Sequence, residues 1–201
     1  MRFIIFLFLL IPLAAISQYE AKPIAYNHIQ NLKSGVLLVR LHTDEVIIAQ
    51  MKKRQQHKLL KSKLQEIEAR NKEIYMAFSS GYTFTQVYFF YGKDSEKVMA
   101  KNFSNIFIGE DLKIDTSIVL PANKPVYVVD VGDIYFEAFG GHFDGMIVMD
   151  EQIKPLEKPF PYYVRRRSGM PILKRSYLEM VLILQKEFEG FYKESSPKME
   201  Y

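Results

Sequence analysis

The chain has 201 residues, with 27 Lys and Arg against 23 Asp and Glu and a formal net charge of +4. That length suits one domain with a real core, and the mild basic balance does not of itself imply a nucleic-acid partner. With no cysteine, thiol nucleophiles, dithiol redox chemistry, disulfides and Cys-ligated zinc or iron–sulfur centres are all excluded.

The chain opens MRFIIFLFLLIPLAAISQ. Arg2 is a short positive region, Phe3 to Ile16 is apolar, and Ala15-Ile16-Ser17 supplies small residues at the positions a signal peptidase reads. This is the pattern of a cleaved secretory signal over 1–17, and the apolar stretch is shorter than the roughly 20 residues a spanning helix needs. The alternative is an uncleaved anchor. Residues 18–34 are polar, contain Pro23 and read as a lead-in segment. A single domain is expected over 35–194, with a frayed tail over 195–201.

GVLLVRL at 35–41 reads as a strand buried on both faces. Thr43 is placed to cap a helix whose first turn carries Asp44 and Glu45. The helical pattern runs to about Phe78, with a break expected near Gln55–His57. Leu60, Leu64, Ile67, Ile74 and Phe78 form one apolar stripe, and Asn71 occupies the missing position. Glu66–Arg70 and Glu68–Lys72 have the spacing of helical ion pairs, and Ser80-Gly81 ends the helix.

QVYFFY at 86–91 reads as a second strand. Asp94 is placed to cap a short helix to about Lys101, and NIFI at 105–108 reads as a third strand. Val126–Val131 and Met146–Met149 read as strands of a hairpin turning at Gly140-Gly141. A further strand is expected around Tyr162–Arg166. Ser176 and Glu179 have the spacing of a capping box, opening a helix to about Lys193. The order predicts an α/β single-domain sandwich with a mixed sheet, its first two strands parallel through a right-handed crossover. The element order loosely resembles a thioredoxin-like fold without the cysteine pair, an analogy that carries no function.

Three stretches hold groups able to do chemistry. DVGDIYFEAFGGHFDG at 130–145 carries Asp130, Asp133, Glu137, His142 and Asp144. Strand alternation puts Asp133 and Glu137 on one face and Asp130 on the other, unless Gly132 marks a bulge. His142 and Asp144 are two apart, a spacing that can bind a metal or orient a base, and also ordinary hairpin composition. KKRQQHKLLKSK at 52–63 holds six cations, beginning Lys52, Lys53 and Arg54, and no acid. Such a run either holds an anion or is a solvated helix face. Without interleaved aromatics it is a poor single-strand nucleic-acid surface. Arg165, Arg166 and Arg167 follow PFPYY, where stacking and bidentate contacts could hold an anion. Alternation sends Arg166 away from its neighbours, toward a carboxylate partner in the protein. His28, His42 and His57 are isolated in sequence and read as structural or solvent-facing rather than catalytic.

The P-loop, G-x-G-x-x-G, H-E-x-x-H, EF-hand and G-x-S-x-G patterns are absent. No cofactor is predicted. NLKSGVLLVRL at 31–41, QVYFFY at 86–91 and PFPYYVRR at 159–166 together resemble exported proteins of unknown function of the Bacteroidota type. The resemblance implies export and brings no activity, cofactor or catalytic residue. Three functions are therefore weighed. The first is a non-enzymatic envelope protein with a binding or structural role. The second is a metal-dependent or carboxylate-based hydrolase centred on Asp130, Asp133, His142 and Asp144. The third is an anion-binding protein using 52–63 and 165–167. The partner is an envelope protein or an anionic ligand, with nucleic acid disfavoured and no transmembrane helix after residue 17.

Overall fold

A computed structural model describes residues 21–136, 140–167 and 173–196. The expected signal segment, Glu137 and the last five residues of the tail lie outside them.

Five strands form one mixed sheet in the order β2-β1-β3-β4-β5. The central strand β1 (Val36–Leu41) pairs in parallel with β2 (Gln86–Tyr91) on one side and β3 (Val126–Phe136) on the other. The apolar run VLLVRL is what such a position demands, since a central parallel strand is covered on both faces. β3 turns back into β4 (Gly141–Met149), which pairs antiparallel with the short β5 (Tyr163–Arg165). The α/β class and the parallel β1–β2 pair agree with the sequence reading. The likeness to a thioredoxin-like fold is one of element order.

Strand parity divides the side chains. Leu37, Val39 and Leu41 share a face with Phe89, Tyr127, Val129, Met146 and Val148. Helices cover this face: α1 (21–34), α3 (His57–Gly81) and α5 (Tyr177–Ser195). Tyr75 and Phe78 of α3 pack on Phe89 at ring separations of 4.2 and 6.5 Å. Phe188 of α5 meets Phe84 and Phe160. α3 and α5 approach closely at Gly81, where a Cβ would come within 2.7 Å of a Leu178 methyl. α5 starts with the capping box anticipated at Ser176 and Glu179.

Several expectations are corrected. Residues 21–34 are not a lead-in: they form α1, with Ala25, Ile29 and Leu32 buried in the core. The segment reads as polar because only one narrow stripe of it is apolar. Its end is pinned to the sheet, since a Cβ at Gly35 would collide with the Pro125 carbonyl oxygen. Asp44, not Thr43, precedes α2 (Glu45–Lys53), in left-handed conformation and without a side-chain cap. The break near Gln55 is present, with Gln55 at φ 54 between α2 and α3. The α3 stripe is buried only from Ile67 onward; Leu64 is exposed. Arg70 pairs with Asp44 rather than Glu66. Asp94 makes no side-chain cap and pairs instead with Lys97, beside α4 (Ser95–Met99). NIFI is not a ladder strand. Phe107 makes a single bridge to Phe90 at the β2 edge and packs on Tyr88, covering the face opposite the helices. β3 and β4 run well beyond the apolar residues that announced them, because the hairpin continues past the helix-covered core into solvent.

Candidate functional site

The hairpin keeps one uninterrupted register from Val128–Met149 to Phe136–Gly141. Gly132 therefore makes no bulge, although its φ of 140 suits glycine alone. Asp133 pairs across with Asp144, and Tyr135 with His142, so these four share one face. His142 Nδ1 lies 3.4 Å from Asp133 Oδ1, both side chains well exposed. Asp144 sits between Arg166 and Lys174, each at 3.9 Å. Asp130 is on the opposite face. The four residues expected to centre a hydrolase are thus split by the sheet, and acid/base work needs them convergent. Among the described residues no three His, Asp or Glu groups are placed to hold a metal.

Asp130 belongs instead to a site at the carboxyl ends of the parallel strands, where open α/β sheets commonly take ligands. It is only 5% exposed. Its Oδ2 accepts from Arg40 Nη1 at 3.2 Å, and its Oδ1 accepts from the Val131 N–H at 3.0 Å and meets His42 Nε2 in a short contact. A carboxyl group this buried costs stability unless its oxygens are paired and hydrogen-bonded. The turn that follows β1 is clamped from α3. Asn71 Nδ2 and Arg70 Nη2 donate to the His42 carbonyl at 2.9 and 3.3 Å, and Arg70 reaches Asp44. Lys63 Nζ is 3.1 Å from Asp44 and 2.8 Å from Glu66. Arg40 Nε, Arg70 Nε and Asn71 Oδ1 are buried there with no hydrogen-bond partner among the described residues.

Partial burial raises the Asp44 carboxyl, but hydrogen bonds from Lys63 and Arg70, with their charges, outweigh it and hold the group below its ordinary value. A carboxyl lowered in the folded state stabilises the fold above its unfolded pKa and loses that contribution as pH falls through the folded value. Acidification below about pH 4, the unfolded value for Asp, should therefore loosen the Asp44 turn and α2 before the sheet. Hydrogen exchange of the α2 amides measures this, and Asp44→Asn should remove the pH dependence.

The basic groups are distributed in two ways. Lys52, Lys53 and Arg54 stand exposed at the turn between α2 and α3, with Lys58 and Lys61 exposed on α3. Lys63 alone of the six makes an ion pair among the described residues. The arginines of 165–167 do not act together. Arg166 turns inward, stacks 4.3 Å over the Tyr177 ring and donates to its hydroxyl at 3.1 Å, while Arg165 and Arg167 are exposed. Burial raises the Tyr177 hydroxyl above its ordinary value, against the pull of Arg166 and Arg70.

Two of the clefts among the described residues differ in whether they hold anticipated groups. One of about 920 Å³ lies at the amino end of β3, between Phe103, Val119 and Lys124, and contains none of the anticipated residues. Another, of about 470 Å³, runs between β5 and α5 and includes Tyr162, Tyr163, Arg165, Arg175 and Glu187. Burial lifts the Glu187 carboxyl above its ordinary value, partly offset by Arg175.

Sequence reasoning gave Asp44, Arg70 and Asn71 roles in the helix alone, set His42 aside as isolated and did not single out Arg40, so none of the five was expected at a site. Two signals were available: a lone arginine inside an otherwise apolar strand, and an asparagine in a helical apolar stripe. Both mark polar groups that must find buried partners. No family model, curated protein or solved structure matches the chain.

Proposed function

We propose that this is an exported, non-enzymatic binding protein of the cell envelope that meets an anionic partner through the α2–α3 hairpin. The observation that carries this reading is an acid-free run of six cations over the end of α2, the turn and the first two turns of α3, a stretch in which no residue is buried. None of the nine α2 residues is buried, and five of the six cations are exposed. A helix kept only for stability would bury its apolar side. The groups able to do acid/base chemistry support the non-enzymatic half. Asp130 has its oxygens taken by Arg40, His42 and the Val131 amide, and it faces away from Asp133, His142 and Asp144. The engagement of Arg166 with Tyr177 and Asp144 narrows the anion-binding surface to the hairpin. Export rests on the pattern of residues 1–17 and on the resemblance to exported proteins. No described helix is long and apolar enough to cross a membrane.

Titration of the chain from Gln18 onward with dextran sulfate tests the reading. Five exposed cations should give a log–log slope of affinity on salt of about −4.5, since each neutralised cation contributes roughly −0.9 on a dense polyanion. Affinity that ignores salt, or no binding at low salt, would overturn the proposal.

A further inference from the structure

The hairpin is not only basic. Val46 is 71% exposed, Ile47 44%, Leu59 57% and Leu64 48%. All four lie on the acid-free stretch between Glu45 and Glu66. α2 reads EVIIAQMKK, apolar in its first turns and cationic in its last, and it packs mainly on α3. Four exposed large aliphatic side chains within twenty residues, two on α2 and two on α3, are the kind of apolar surface that a partner covers in use. Their company decides by what: they share this stretch of chain with the exposed Lys52, Lys53, Arg54, Lys58 and Lys61, and a cover has to be apolar at shallow depth and negative around it.

Resting on the anionic-partner reading above, we infer that the partner is an anionic lipid surface, on which the α2–α3 hairpin lies with its aliphatic side chains in the acyl boundary and its cations among the headgroups. Interfacial helices combine these two features, with basic residues at the headgroups and aliphatic ones below. Lysine and arginine stems are long enough to keep their charges at headgroup level while the backbone sits deeper. The geometry suits a fluid surface better than a fixed groove: no residue from Glu45 to Glu66 is buried, and Lys52, Lys53 and Arg54 stand together at the turn. Burial of the base by Ile67, Asn71 and Ile74 and the clamp on Asp44 hold the hairpin on the domain, so binding would not require the fold to open.

The test uses the chain from Gln18 onward, which keeps every core residue among those described and leaves out the apolar run at 3–16. Its partition is measured onto vesicles of phosphatidylcholine alone and of phosphatidylcholine with phosphatidylglycerol. Binding is expected on the anionic vesicles only, weakened by salt. The triple variant Lys52→Gln, Lys53→Gln, Arg54→Gln should bind about a hundredfold more weakly, at roughly fivefold per cation near such a surface. Val46→Ser with Ile47→Ser should weaken vesicle binding roughly tenfold or more while leaving dextran sulfate binding unchanged, because only a lipid surface takes up the aliphatic groups. If dextran sulfate binds and vesicles do not, or if the serine variant binds vesicles as well as the parent, the lipid inference is wrong and a soluble acidic partner replaces it. If neither ligand binds, the anionic-partner reading fails as well. Unchanged melting of each variant shows that the exposed substitutions leave the fold intact.

Discussion

Replacing Ile29 or Leu32 by alanine is expected to lower stability by about 2–5 kcal/mol each, and a chain that begins at Gly35 is expected to show no cooperative unfolding transition. Both side chains are fully buried in the core. α1 is tied to the rest of the molecule at several points. His28 Nδ1 lies 3.0 Å from the Tyr127 hydroxyl, Lys33 Nζ donates to the Phe84 carbonyl at 2.8 Å, and Gln30 Nε2 donates to Ser195 Oγ at 2.7 Å. Lys22 and Tyr26 both reach Glu194 near the end of α5. Without α1 the sheet face beneath it and one flank of α5 would meet water, and a typical domain holds only about 5–15 kcal/mol in reserve. For a domain of this size each alanine substitution corresponds to a fall in melting temperature of roughly 5–15 °C. Urea unfolding followed by circular dichroism measures both effects. A truncated chain that melts like the parent would return residues 18–34 to the status of a lead-in.

Asp130→Ala should cost about 3 kcal/mol, the low end for breaking a buried ion pair, because the Arg40 side chain keeps a quarter of its surface in water. The loss comes less from the bonds removed than from the guanidinium left without its counter-charge. Combining Asp130→Ala with Arg40→Met should therefore cost clearly less than the two single changes together. Denaturant unfolding of all four proteins completes the cycle. Strict additivity would mean that the two groups do not interact, and that the carboxyl ends of the parallel strands are held by packing alone. His42 adds a second partner on the same carboxylate, so His42→Ala should weaken the site without unpairing Arg40. None of these residues belongs to α2 or to the cationic run, and the folded variants should retain the salt-dependent binding expected of the α2–α3 hairpin.

Local pattern carried much of this molecule. β2 was legible because aromatic and β-branched residues leave little choice in QVYFFY, and α5 because Ser176 and Glu179 form a motif complete within four residues. The parallel β1–β2 pair followed from a crossover helix between two apolar strands. Alternation alone separated Asp130 from Asp133 and turned Arg166 from its neighbours. α1 escaped because three small or aliphatic residues at helical spacing look polar when averaged with their neighbours.

The sequence by itself determined the chemistry excluded by the absence of cysteine, the α/β class and the acid-free cationic run, because each depends on composition or on residues adjacent in the chain. Tertiary structure alone decided that Arg40, His42 and Asp130 meet, that Asp44 is clamped from Lys63 and Arg70, and that five of the six cations stay exposed, on and beside a helix that buries no residue. Those partners are separated by up to ninety positions in the chain. They come together because parallel pairing of β1 with β3 brings the carboxyl ends of distant strands side by side, a proximity that no local pattern encodes.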